Sequence, residues 1–414
     1  MFDLVIIGGG AAGFYGAIQA AEMNPNLRIA ILEKTNKLLS KVRVSGGGRC
    51  NVTHYCFEAK KLSKHYPRGE KTLRELFKSY QAKDVVAWFE SKGVKLKAEA
   101  DGRMFPITDD SQTIINLFLR ESDRYKITIH ISTAVKKIDK NKDQFIIETE
   151  NGEKVNTKKI LIAIGGHPSE QAYNWIKDLG HTINKPIPSL FTFNVADKRF
   201  VELMGVAVKK AYVKIEGTKL SQEGPLLITH WGLSGPAVIK LSAWAAEYLY
   251  IEQYKFNILV SWVGEKKEDD LRSDLLAYKT KYPKQRVAGN TLFELPQRLW
   301  IKLCELAGIE ENKIWGELSL KALNKLLENI LRCRFEIKGK TTFKEEFVTC
   351  GGVPLEEIDS ETMQSKKVEN LFFAGEVLNI DGETGGFNFQ AAWTTAYMAA
   401  QTITGAQKHN KALM

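Results

Sequence analysis

Residues 2–34, FDLVIIGGGAAGFYGAIQAAEMNPNLRIAILEK, constrain this chain more than any other stretch. A short apolar strand, Leu4 to Ile7, runs into Gly8-Gly9-Gly10-Ala11-Ala12-Gly13. A helical segment follows, and a second apolar strand, Arg28 to Leu32, ends on Glu33. Together they make a βαβ unit with a G-x-G-x-x-G turn and an acid twenty positions past its last glycine. Gly8 allows the tight turn, Gly10 lets the backbone approach a pyrophosphate, and Gly13 lets the helix lie close on the strand. The N–H groups and the positive dipole end of the helix favour phosphate charge at Ala11 and Ala12. Glu33, with Lys34 after it, stands where ribose hydroxyls would be bound.

The same stretch bears on targeting. Phe2 to Ala21 is apolar enough to resemble a signal peptide. No basic region precedes it, however, Asp3 interrupts it, and the triple glycine would make a poor apolar helix. No other run reaches the roughly 18 apolar residues of a membrane span, so the expectation is a soluble, cytoplasmic protein without a membrane partner. Five cysteines (Cys50, Cys56, Cys304, Cys333, Cys350) are scattered with no C-x-x-C pair, and the seven histidines show no ligand spacing. No metal site is expected, and the thiols suit a reducing compartment. The net charge of +10 permits attraction to an anionic cofactor, nucleic acid or an acidic surface. The lysines are dispersed and often paired with acids, as in GEKKEDDLRSD at 264–274, and no long basic run with interleaved aromatics is present. Nucleic acid is therefore not the expected partner.

The 414 residues, 44% hydrophobic and 26% charged, suffice for two or three domains. LRELFKSY (73–80), KDVVAWFESKG (83–93) and SQTIINLFLRES (111–122) carry helical spacing, and Gly93 suits a helix stop. VKLKAEADGRMFP (94–106) reads as strands around an Asp-Gly turn. Residues 127–166 are strand-rich, with an Asn-Gly hairpin signal at 151–152. They end in the continuously apolar ILIAIGG of a buried parallel strand, closing on Gly165-Gly166. The prolines of KPIPSLF (185–191) mark a boundary. Beyond it FTFNVA, AYVKIEGT and FNILVSWV make residues 191–260 mainly β, with helix after Gly235-Pro236, and residues 265–335 are helical. Short apolar strands return in TFKEEFVTCGGV (342–353) and VENLFFAGEVL (368–378), and AQKHNKALM (406–414) reads as a loose tail. A block of strands and helices between two parts of a nucleotide-binding fold is an inserted domain.

The second informative stretch is LFFAGEVLNIDGETGGFNFQAAWTTAYMAAQTI at 371–403. An apolar strand stops at Gly375-Glu376, a Gly385-Gly386 turn follows, and a helix begins near Phe387. Its start again offers unpaired N–H groups and a positive dipole end, worth about 0.3–1 kcal/mol toward a nearby anion. A reduced flavin carries negative charge on its pyrimidine ring, which such a start would stabilise.

On these residues the chain resembles the YhiN/HI0933-like family of FAD-binding flavoproteins. The motifs are VIIGGGAAG (5–13), SGGGRCNVT (45–53), THWGLSGPA (229–237), and TMQSK (362–366) followed by FFAGEVLNIDGETGGFNFQAAW (372–393). The resemblance implies an α/β protein of glutathione-reductase type. A Rossmann-like FAD-binding domain, with a parallel sheet, helices and a β-meander layer, comes from residues 1–188 and 346–414. An insert at 189–345 holds a β-barrel (about 189–263) and a helical subdomain (about 264–335). It also implies roles. Gly8, Gly10, Ala11, Ala12 and Gly13 would hold the FAD pyrophosphate and Glu33 the adenosine ribose. Lys41, Ser45, Gly46 and Gly47 would lie along the ribityl and flavin ring, with Arg49, Cys50 and Asn51 nearby. Ala134-Val135 would meet adenine, and Gly165 offers backbone to the ligand. Gly375-Glu376 would sit at the ribityl–pyrophosphate end, and Gly386, Phe387 and Asn388 at the flavin pyrimidine. The chain departs from many relatives at Leu39, where they carry glycine, at Arg43, where they carry an apolar residue, and in a shorter loop after Gly165-Gly166.

Cys50 is read either as a redox thiol, with Cys56 as partner, or as a small packing residue. His230 is read either as a proton donor or as a backbone-bonding residue, and Arg103 as an anion ligand or a surface turn. The function expected is that of an FAD-dependent oxidoreductase moving a hydride between a small organic substrate and the flavin. With one dinucleotide fingerprint, NAD(P)H is expected only as a transient co-substrate, and the second redox partner is either NAD(P)H or oxygen. Relatives in the family include an aminoacetone oxidase and a reductase of bile-acid intermediates. The alternatives are an FAD-containing RNA-modifying or RNA-binding protein, and a module that keeps FAD as structure. The residues assign no catalytic group and no oligomeric state.

Overall fold

A computed structural model describes residues 1–341 and 348–406. All but the first residue of the tail expected at 406–414, and the first residues of the strand expected at 342–353, lie outside the described residues. The chain forms two compact units, one from Met1–Ser189 with Lys344–Met414 and one from Leu190–Phe343. Each has its own hydrophobic core.

The first unit is organised by the N-terminal βαβ. Strand β1 (Phe2–Ile7) leads into helix α1 (Ala11–Met23) and strand β2 (Ile29–Leu32), and the two strands pair in parallel with Leu4 opposite Ile29. All four residues of β2 and the last four of β1 are buried, as a strand covered on both faces requires. The sheet continues with Thr128–His130 outside β2 and Lys154–Ile162 on the other side of β1.

The strand Lys154–Ile162 does two jobs along one length. Its first half alternates exposed and covered residues and pairs antiparallel with Gln144–Thr149, which turns back onto Val135–Asn141 as a meander. Its last three residues, Ile160-Leu161-Ile162, are fully buried and pair in parallel with Leu371–Phe373. The change from a half-buried to a two-sided apolar pattern within one strand is where the sheet passes from meander to Rossmann core. The Asn-Gly turn at 151–152 joins Gln144–Thr149 to Lys154–Ile162, with Gly152 at φ 81. The helices Glu70–Ser79, Ala82–Ser91 and Ser111–Arg124 cover the predicted stretches.

The second unit is a closed six-stranded barrel with a helical layer. The barrel order is Thr192–Val195, Gly232–Ser234, Ser221–Ile228, Ala207–Ile215, Lys255–Ser261 and Cys333–Thr341. Helices Glu268–Lys281, Gln297–Leu306 and Leu320–Leu331 turn Leu271, Leu299, Leu303 and Leu326 inward. Residues 221–234 add two strands to the three named within the mainly β stretch 191–260. One feature corrects the sequence reading: the helical stretch ends at Leu331 and not near 335, so that Cys333–Thr341 closes the barrel.

Candidate functional site

The two helix starts singled out above lie side by side. Alanine side chains of α1 and of the final helix (Phe387–Thr404) flank the same glycines. A Cβ on Gly375 would lie 3.0 Å from Ala12 and 3.7 Å from Ala392, and one on Gly16 would lie 3.6 Å from Ala396. The helices therefore run parallel, in step by 380 residues, and open on the same side. The final helix begins about four residues, roughly 6 Å, further out. At ordinary helix spacing the two starts are roughly 10 Å apart.

The α1 start is built from glycine alone. Gly8 sits at φ 115, and a Cβ there would meet the Ala163 carbonyl at 2.4 Å. A Cβ on Gly13 would fall 1.9 Å from the Gly8 carbonyl oxygen. Those two glycines are required by the protein's own packing. Gly10 is different. Its φ of −97° suits any residue, and no atom lies within 4 Å of its Cβ position. Among the described residues nothing requires a glycine there, and the backbone is left open. No side chain caps the helix. At the end of β2, Glu33 accepts from the Gly9 N–H (2.8 Å) with one oxygen and from the Thr35 N–H and hydroxyl (2.9 and 2.8 Å) with the other. These bonds fix the carboxylate, which retains lone pairs for a diol. The next segment crosses here: Thr133 and Ser132 donate to the carbonyls of Glu33 and Thr35, bringing Val135 to this end.

The loop from 40 to 51 has three successive left-handed glycines, Gly46, Gly47 and Gly48. Gly46 packs on Phe105, whereas Gly47 and Gly48 face open space. Leu39, before the loop, also stands in the left-handed region at φ 55, the conformation that glycine adopts without strain. The loop's end is fastened to the final helix: Trp393 donates to the Val52 carbonyl (2.9 Å) and the Thr53 hydroxyl to Gln390 (2.6 Å). Lys41 reaches Glu376 at 2.6 Å across 335 residues of sequence, and the other Glu376 oxygen accepts the Thr349 N–H. A Cβ on Gly166 would meet Glu376 and Thr349, and Gly165 beside it is open. Burial, then the charges of Lys34 and Lys41, hold the adjacent His167 below its usual range.

The start of the final helix is clamped by side chains. Asn51, with its amide oxygen toward the helix, accepts from the Gly386 N–H (2.9 Å) while its nitrogen donates to the Thr53 and Met104 carbonyls. Asn388 holds both the N–H and the carbonyl of Gly382. His54 Nδ1 lies 3.0 Å from the Gly385 carbonyl, His65 Nδ1 lies 3.1 Å from Glu383, and the Tyr66 hydroxyl donates to the Phe387 carbonyl (2.7 Å). Arg68 forms a bidentate pair with the fully buried Asp381, which also accepts from Ser189 (2.7 Å). The Phe387 ring is buried and stacks on His54 and His65 at 4.6 and 4.2 Å between ring centres. Only backbone of Phe387 is thus left for a ligand. None of His54, His65, Tyr66, Arg68, Asp381 and Glu383 was picked out from the sequence. The one local signal was the charged DGE ahead of the Gly-Gly turn.

Three residues weighed from the sequence have the following surroundings. The Cys50 side chain is fully buried and burial pushes its thiol up to about 12, so it is a packing residue without a nucleophile's thiolate. Arg103 is paired with Glu99 and Asp101 at 2.8 and 2.7 Å, and Arg49 with Glu99 at 2.6 Å over the Phe105 ring. Both side chains are engaged within the protein. His230 is exposed, edge-on to Trp231, in the turn between two barrel strands.

Among the described residues no helix is long and apolar enough to cross a membrane. The sequence profile of the HI0933-like protein Rossmann domain matches residues 2–402. The chain is 27% identical over 404 residues to the 3-dehydro-bile acid delta(4,6)-reductase of Clostridium scindens, covering 96% of this chain and 97% of that one. It is 28% identical over 417 residues to the ribosomal RNA dihydrouridine synthase of Escherichia coli, covering 98% and 99%. Among solved structures, the 3-ketosteroid-delta4-(5alpha)-dehydrogenase of Rhodococcus jostii matches with a TM-score of 0.50 and 11% identity, over 96% of each chain. At that identity the likeness is one of fold. A bare glycine turn, a parallel pair of helix starts and a profile that spans both units agree: the chain belongs to the HI0933-like family of Rossmann-domain flavoproteins.

Proposed function

We propose that this protein is an FAD-dependent oxidoreductase that moves two electrons between a small organic substrate and the flavin, with NAD(P)H as a transient donor. One observation carries the reading. Gly10, free of strain and of neighbours, lies at the α1 start, one helix spacing from a second start held rigid by six side chains. The α1 N–H groups and Gly10 would take the pyrophosphate, Glu33 the adenosine ribose, and Val135 backbone the adenine. Gly47, Gly165, Lys41 and Glu376 would line the ribityl chain. The final helix start, at Gly386 and Asn388, would meet the flavin pyrimidine, where its dipole favours negative charge. FAD bound there supplies a ring that accepts or releases a hydride. The protein's own groups bind it, orient it and keep the pyrimidine end fixed. The names of both curated relatives describe reductions, which favours NAD(P)H as donor over oxygen as acceptor.

The purified protein should be yellow, and NADPH or NADH should bleach it under anaerobic conditions. Glu33→Ala should weaken FAD retention at least tenfold. A colourless protein that takes up no added FAD would overturn the proposal, and unchanged retention in Glu33→Ala would remove the ribose assignment. A second reading is favoured by the net charge of +10 and by two relatives, from Escherichia coli and Haemophilus influenzae, that modify ribosomal RNA by name. In it, the substrate is a base in RNA.

A further inference from the structure

We infer that the segment Tyr55–Lys64 is a docking face for single-stranded RNA, presented beside the start of the final helix. The inference rests on the second reading above. The segment's two flanking residues are both tied to the candidate site. His54, before it, contacts the Gly385 carbonyl, and His65, after it, contacts Glu383. Both rings stack on Phe387. Both ends of the segment are thus fastened to the loop that opens the final helix.

Between the anchors the surface combines two features that rarely occur together. Tyr55 and Phe57 are 60% and 38% exposed, with ring centres 4.5 Å apart, and neither is taken into the core. Two exposed aromatics side by side offer ring faces to a stacking partner. The short helix Ala59–Ser63 follows. It buries Leu62 and leaves Lys60, Lys61 and, just after it, Lys64 exposed. Lys61 is paired with Glu58 at 2.7 Å, while Lys60 and Lys64 have no ion pair among the described residues. The sequence has no long basic run with interleaved aromatics, but YCFEAKKLSK is a short one, and the fold brings it to the surface.

The chemistry selects the occupant. Lysines attract phosphates without regard to sequence. Aromatic rings stack on bases only where those bases are unpaired, since a duplex hides its base faces. A small apolar substrate accounts for the rings but leaves the lysines without a task. Single-stranded RNA uses both, and it could be drawn toward the site by the strand end that carries His54.

The test measures fluorescence anisotropy of the FAD-loaded protein with three probes: a labelled single-stranded uridine-rich RNA, the same strand in a duplex, and vesicles containing anionic lipid. The single strand should bind more tightly than the duplex, with salt-dependent affinity. The double variant Tyr55→Ala/Phe57→Ala should lose tenfold or more in affinity with an unchanged salt slope. Lys60→Gln/Lys64→Gln should lower the slope of log K against log salt by about 1.4, roughly 0.7 per phosphate contact. Both variants should keep the flavin spectrum and the thermal midpoint, which separates lost docking from lost folding. Equal binding by wild type and variants, preference for duplex, or binding to vesicles alone would each overturn the inference. Absence of RNA binding in a protein whose flavin NADPH still bleaches would sink the RNA face and leave the oxidoreductase standing. RNA binding by a protein that holds no FAD would do the reverse.

Discussion

The two helix starts face the same side of the molecule yet are built by opposite means. The α1 start is local and bare. Within six residues, glycine supplies a left-handed turn at Gly8, close packing at Gly13 and an open backbone at Gly10. The start of the final helix is remote and crowded. Asn51, His54, His65, Tyr66 and Arg68 arrive from more than 300 positions away to grip residues 381–387. On the proposed reading the difference follows from the ligand: a phosphate needs only backbone, whereas a reactive ring held in one orientation calls for side chains that fix the backbone around it.

The comparison breaks most visibly at Arg68. Removing it strands the buried carboxylate of Asp381, so Arg68→Ala should cost about 3–5 kcal/mol in urea denaturation. The apolar pair Arg68→Met/Asp381→Leu should regain much of that, and a cost below about 1 kcal/mol for Arg68→Ala would show the clamp to be dispensable.

At the α1 start, two glycines three residues apart should behave differently. Gly13→Ala forces a Cβ onto the Gly8 carbonyl and should destabilise by about 1–3 kcal/mol. Gly10→Ala should leave stability within about 0.5 kcal/mol while reducing FAD retention at least tenfold. Equal retention in Gly10→Ala and wild type would mean that no ligand approaches that backbone. Asn51→Ala, which uncaps Gly386, should cost about 1 kcal/mol.

Acid should act on the final-helix side. Beneath the strand Leu371–Phe373, buried His181 contacts Glu357 through Nδ1 (2.7 Å) and Ser365 through Nε2 (2.8 Å), and lies edge-on to Phe373. Burial holds His181 below its usual 6.5. Burial pushes Glu357 up, but bonds from Lys367, Thr182 and His181 outweigh it and hold the carboxyl down to about 2. Both folded values lie below the unfolded ones, so this contribution to stability is complete above about pH 6.5. It falls as acid protonates the unfolded chain, first through His181 and then through Glu357. The thermal midpoint should drop between pH 6.5 and 4, and His181→Gln should flatten the upper part of that decline. The smallest effect belongs to the thiols: Cys50 should react with a thiol reagent far more slowly than the half-exposed Cys56.

The fold was legible where the signal is periodic. β1, α1 and β2 and the helix beginning at Phe387 stand where the apolar runs and glycine turns put them. Three barrel strands were not read. Ser221–Ile228 alternates in burial, with Leu226 and Ile228 inside and Leu227 out, but its sequence does not show it: Gly224 and Pro225 interrupt it and the exposed position is itself a leucine. Cys333–Thr341 does alternate, buried Cys333, Phe335 and Ile337 against exposed Arg334, Glu336 and Lys338. It follows a helix after a single residue, however, and the helical reading of 265–335 overlaps its first three residues.

By itself the amino-acid order determined the βαβ unit, its bare glycine turn and the second helix start, because each depends on neighbours within a few residues and on backbone conformations that glycine alone reaches cheaply. Only the tertiary structure decided that the two helices run parallel, that His54, His65 and Arg68 converge on one loop, and that the lysines of a five-residue helix stand beside two exposed rings. Those arrangements depend on contacts between residues hundreds of positions apart, whose pairing follows from how the two apolar faces pack and leaves no period in the chain.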